Sequence, residues 1–256
     1  MHPALSVRVA AASCGAALLF VLVACDEPKP TAASTVTTSA SAIVAAPASR
    51  PKTMPVLLVD AEGPYLDGKR VNLAEAGGKE KLTKILGDLP IDNKPVVLIA
   101  QGKAKTPDVT AVVAALGAAG APTITIKTDG RTDLPKEIVV TPASRVSGPP
   151  ACSVVTMVMG SDLSTAVWPY KGGLGRRQRK GLAGPDLTHT GQELKKAIAG
   201  CSSTMAFVSG DDGIGWELTY NLAATLLASD DKKKLDTLVL LPEPPVAGRA
   251  IEAASK

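Results

Sequence analysis

Aromatic residues are scarce, at 3% of the chain, so aliphatic side chains must build any core. Histidine is scarcer: His2 and His189 are the only two. A serine or cysteine hydrolase needs a base beside its nucleophile, and no Gly-x-Ser-x-Gly elbow occurs. Asp and Glu are common, but no pair stands out as glycosidase machinery. The reading is therefore of a non-catalytic protein. Cys-x-x-Cys is absent, so no metal site is expected. The Gly-Lys-Ser/Thr ending of a phosphate loop is absent as well, and no nucleotide or other cofactor is expected. Net charge is +4, one unit less without Arg8, too mild to argue for nucleic acid.

What is present begins at the N-terminus. Val9 to Ala24 is uncharged and rich in Ala, Leu and Val, with Arg8 as its positive flank. At 16 residues it suits a signal-peptide core better than a spanning helix, which needs roughly 20. Leu22-Val23-Ala24-Cys25 closes the run and resembles a bacterial lipobox, with Cys25 as the lipidated residue. The alternative is an uncleaved anchor helix. Residues 1–24 are thus expected to be a lipoprotein signal peptide. Residues 25–54, mostly Ala, Ser, Thr and Pro, are expected to be a flexible tether, too poor in large apolar groups to offset ordering entropy. The protein would be lipid-anchored at the cell membrane or outer membrane, facing the periplasm.

Cys14 leaves with such a leader and Cys25 is acylated. Cys152 and Cys201 remain, and an exported compartment is oxidising, so these two are expected to bridge. Two unrelated buried thiols are the other reading.

Thr141–Pro150, rich in Pro, Ser and Gly, divides the rest into halves with a similar order of elements. In the first half, Val56–Val59 reads as a strand and Asp67-Gly68 as a hairpin turn. A helix carries Leu82, Ile85, Leu86 and Leu89. Val96–Ile99 is a strand, and Thr106-Pro107 opens a helix with Val109, Val112, Val113 and Leu116 on its buried side. Ile124 and Ile126 mark the last strand. In the second half, Val154–Val158 and Thr165–Trp168 are extended. Thr190-Gly191-Gln192-Glu193 fits a capping box opening a helix. Met205–Val208 is a strand. Ile214, Leu218, Leu222 and Leu226 lie on a helix, and Leu238–Leu241 closes the unit. The pattern predicts two copies of a β-β-α-β-α-β unit.

Four stretches of the first half resemble the periplasmic domain of the ExbD/TolR biopolymer-transport family. They are Pro55–Val59 followed by Gly63-Pro64-Tyr65, then Val71-Asn72-Leu73, Pro95–Gln101, and Thr106–Thr128. In the last, Val109–Leu116, Ala119-Gly120 and Thr123–Ile126 resemble the family's helix, turn and terminal strand. The likeness spans Met54 to Thr128; the second half fits the plan more loosely. It implies an α+β fold: two tandem small domains, each a mixed β-sheet with two helices on one face. The domains would span 55–140 and 151–245, with a linker at 141–150 and a tail at 246–256. It also implies a role in envelope transport, partners among motor subunits or peptidoglycan, and a homodimer. The family's proton path runs through an aspartate in a membrane helix. Val9–Ala24 has no Asp or Glu, so no residue here takes that part.

The most unusual stretch is Lys171–Asp186. Lys171, Arg176, Arg177, Arg179 and Lys180 stand among glycines and are candidate anion- or partner-binding residues. A solvated loop is the plainer reading. Three functions follow: a lipid-anchored binding or scaffold module of a transport system, a peptidoglycan- or polyanion-binding lipoprotein, or an envelope hydrolase with an unrecognised site.

Overall fold

Alternation of apolar and polar residues builds the strands, and a single sheet gathers all eleven found among the described residues. A computed structural model describes residues 53–251. The expected signal peptide, Cys25, nearly all of the expected tether and the last five residues lie outside the described residues. The first half runs β1 (Leu57–Asp60), β2 (Gly63–Leu66), β3 (Lys69–Arg70), α1 (Gly78–Gly87), β4 (Val96–Ala100), α2 (Thr106–Ala118), β5 (Ile124–Lys127) and β6 (Glu137–Pro142). The second runs β7 (Val154–Val158), β8 (Thr165–Pro169), β9 (Arg176–Gln178), α3 (Leu187–Ala197), β10 (Thr204–Gly210), α4 (Trp216–Ser229) and β11 (Leu235–Leu240).

The fold is mixed α+β, and the two halves share one pairing scheme. β1 pairs antiparallel with β2 and parallel with β4; β2 pairs antiparallel with β3; β4 pairs parallel with β5. β7 repeats this with β8 and β10, β8 with β9, and β10 with β11. A third short strand, β3 or β9, therefore extends each expected unit. Across the sheet the order is β3-β2-β1-β4-β5-β6-β11-β10-β7-β8-β9.

The sheet is continuous where two separate sheets and a linker at 141–150 were expected. The reason is β6, whose first residues close the first half and whose last two open that linker. Ile138 and Val140 are buried against the core, which places this segment inside the sheet rather than in a linker. It pairs antiparallel with β5 and parallel with β11, with Val140 opposite both Ile124 and Leu238. Two edges that would otherwise stand open are thereby satisfied. A local two-fold relates the loops entering α2 and α4. Thr106 N–H donates to Ile214 O at 3.0 Å, and Trp216 N–H donates to Ala104 O at 2.8 Å.

Local chemistry explains the ends of the elements. Asp67 and Gly68 both have positive φ, as the two-residue turn between β2 and β3 requires. Gly120, at φ 112°, follows the last turn of α2, and Ala121 N–H reaches back to Leu116 O at 2.9 Å. α3 starts at Leu187, ahead of the expected capping box. Asp186 is its cap, and its carboxylate accepts from His189 N–H at 3.0 Å. Thr190 lies inside the helix, where its hydroxyl bonds Asp186 O and Thr165 Oγ1.

Residues of all four helices join one buried cluster with the inward side chains of both halves. Trp216 and Tyr220 sit in it, with Trp216 Nε1 donating to Thr128 Oγ1 at 2.9 Å across the halves. A second cluster lies on the other side of the second half's strands: Val155, Met157, Trp168, Phe207 and Val239. Val146, Tyr170 and Ile251 cover it. The same side of the first half is bare. Tyr65, Val97, Ile99 and Val139 are exposed there.

Candidate functional site

β9 is the edge strand of the second half, and the basic stretch lies along and around it. A strand presents successive side chains to opposite faces, so neighbouring cations diverge. Arg176 turns toward α3, where Glu193 Oε2 is 4.0 Å away. Arg177 turns the other way, to Asp162 and the Ser164 hydroxyl, each at 2.8 Å. Hydrogen bonds from the Ser164 hydroxyl and N–H, then from Arg177, hold the Asp162 carboxyl down at about 2. Lys171 Nζ lies 5.8 Å from the Tyr170 ring centroid. Arg179 and Lys180 have no ion-pair partner among the described residues. The five cations form a basic edge rather than one convergent anion pocket.

Beside that edge, β8, β9 and α3 enclose an open cleft of about 490 Å³. Cys152, Val167, Trp168, Leu174, Arg176 and Glu193 contribute to its lining. Glu193 is sheltered and ion-paired to Lys196 at 2.7 Å, which holds its carboxyl below the usual range despite burial. Cys152 and Cys201 form a disulfide with Cα atoms 6.0 Å apart, closing a sequence separation of 49. It ties the start of β7 to the segment between α3 and β10.

The first half carries a related clamp without the loop. Arg70 pairs across to Tyr65, and Tyr65 to Leu58. Arg177 pairs to Ala166, and Ala166 to Met157. The two arginines thus hold equivalent places, and Arg70 grips Asp60 at 2.5 Å as Arg177 grips Asp162. The Arg70 hydrogen bond lowers the Asp60 pKa. Each clamp fixes the turn beneath it.

His189 Nδ1 lies 2.6 Å from Asp186 Oδ2, and no serine or cysteine is hydrogen-bonded to this ring among the described residues. Asp211 accepts from Gly160 N–H at 2.6 Å. Asp108 lies in a second cleft of about 490 Å³ with Lys79, Asp212 and Glu243, and burial raises its pKa. No group of three His, Cys, Asp or Glu is placed to hold a metal ion among the described residues. No described helix is long and apolar enough to cross a membrane. Trp168 is buried, with its indole donating to Arg249 O at 2.9 Å.

Sequence reasoning missed the bare face. Its signal was available in the alternation of Val96–Ala100, where Val97 and Ile99 point away from the helices. No protein-family model, curated protein or solved structure matches this chain.

Proposed function

We propose that this chain is a lipid-anchored, periplasm-facing, non-catalytic binding or scaffold protein. In this reading it is related to the ExbD/TolR biopolymer-transport machinery but has no proton path of its own. Cys25 carries the anchor, and the two halves are tandem copies of the family's periplasmic domain. The observation that carries the reading is the shared pairing scheme of the halves, combined with a bare apolar face on the first. Tyr65, Val97, Ile99 and Val139 are exposed there among Thr125, Lys127 and Glu137, and such a mixed apolar and polar surface suits a protein partner. Five scattered cations and an exposed Asp–His contact offer binding chemistry rather than a poised nucleophile.

Crosslinking in cells followed by pull-down tests the proposal. Recovery of motor subunits supports it, while co-sedimentation with sacculi alone favours a peptidoglycan- or polyanion-binding lipoprotein. Radiolabelled palmitate should enter the protein and be lost with Cys25→Ser. One observation favours the hydrolase reading: the elevated Asp108 carboxyl in a cleft with Asp212 and Glu243. Turnover of muropeptides abolished by Asp108→Asn would establish it.

A further inference from the structure

From residue 163 to 185 the chain has five cations and no acidic residue. A charge run by itself is a solvated surface. Here two leucines stand within it, Leu174 at 96% exposure and Leu182 fully exposed. They lie on either side of β9. Neither is on a loose loop. Gly181 N–H donates to Gly184 O at 2.7 Å, so Leu182 and Ala183 form the apex of a closed turn. The loop before Leu174 is tied down by Gly173 N–H to Gly248 O at 2.9 Å and by Gly172 N–H to Pro169 O.

We infer that this edge of the second half is a membrane-contact surface: Leu174 and Leu182 enter the interface of an anionic bilayer while Lys171, Arg176, Arg179 and Lys180 meet its headgroups. Apolar side chains buried at the acyl boundary beside cations on anionic lipid are the two terms of peripheral membrane binding. An anionic polymer would satisfy the cations and leave the leucines in water. A protein groove is a poorer match for Leu182, which is held at the tip of a turn. Arg177, paired to Asp162, serves the turn and not the lipid. The inference rests on the envelope reading only for where an anionic bilayer would be met.

The test uses the full chain reconstituted in protein-free lipid vesicles, so its outcome is independent of any motor partner. Leu182→Trp places an indole at the turn apex, and the unsubstituted chain, whose Trp168 and Trp216 are buried, gives the background quenching to subtract. Brominated phosphatidylglycerol in the vesicles should quench the added fluorescence, and brominated phosphatidylcholine alone should not. Each cation contributes about fivefold to partition, so Arg179→Ala with Lys180→Ala should lower loop occupancy about twenty-five-fold and remove the quenching. In the unsubstituted chain, amide exchange across 172–184 should slow on anionic vesicles only. Equal quenching by both lipids, no quenching, or unchanged exchange would overturn the inference. Sacculus binding that needs Arg179 and Lys180 without any vesicle effect would overturn it too, assigning the loop to a cell-wall polyanion.

Discussion

Val97 and Phe207 occupy the same place in the two halves, each on the second strand of a parallel trio and facing away from the helices. Val97 is 51% exposed and Phe207 1%. The pairing scheme is shared, so the difference lies in what the connections add. Asp67-Gly68 turns the first hairpin in two residues. Its counterpart runs from Tyr170 to Gly175, and Tyr170 stacks on Phe207 with ring centroids 6.3 Å apart. Ile251 and Val146 complete the cover. One scheme thus gives a bare face and a basic, loop-bearing edge. The specialisation is carried by segments between strands rather than by the strands.

The sharpest way to break this comparison is to truncate the equivalent pair. Phe207→Ala should cost about 3–5 kcal/mol, and Val97→Ala less than about 0.5 kcal/mol, in denaturant unfolding. Equal costs would mean that the two faces are covered alike. Next in size is the disulfide, which has no counterpart in the first half. Reduction, or Cys152→Ser with Cys201→Ser, should destabilise by about 2–4 kcal/mol. The loss should appear first as amide exchange in β7, β10 and α3. The arginine clamps come third. Arg70→Ala and Arg177→Ala should each lower stability only slightly, as expected for exposed pairs. If the clamps are equivalent, the two losses should be similar and additive. The smallest effect is the pH response of Asp162. Its folded pKa of about 2 lies below the ordinary carboxylate value, so its contribution is present above about pH 4 and is lost as pH falls toward 2. A pH titration of stability should show this acid loss weakened in Arg177→Ala and in Ser164→Ala.

The sequence made much of this legible because periodicity and turn chemistry are local. The Asp67-Gly68 turn, the Val109–Leu116 stripe, the inward-facing strands and the cysteine pairing each rest on a few adjacent residues or on elimination. β6 was within reach, since Ile138 and Val140 alternate with Glu137 and Val139. The Pro- and Ser-rich residues after it drew the boundary instead. Which edge β6 would join is a long-range matter that no local pattern specifies. The same holds for the capping of α3. Thr190 has the right spacing to Glu193, but Asp186 competes and wins because its carboxylate reaches His189 N–H. The basic stretch was visible as composition. Its division into a clamped Arg177, an Arg176 facing Glu193 and open cations depends on Asp162 and Glu193, which reach it only through the fold.

The account turns on the first half being a surface for a partner rather than a wall of a reaction chamber. A photo-crosslinking side chain placed at Val97 in living cells tests this most directly. The account predicts a discrete covalent adduct with an envelope transport-motor subunit. Adducts that never contain such a subunit would contradict it.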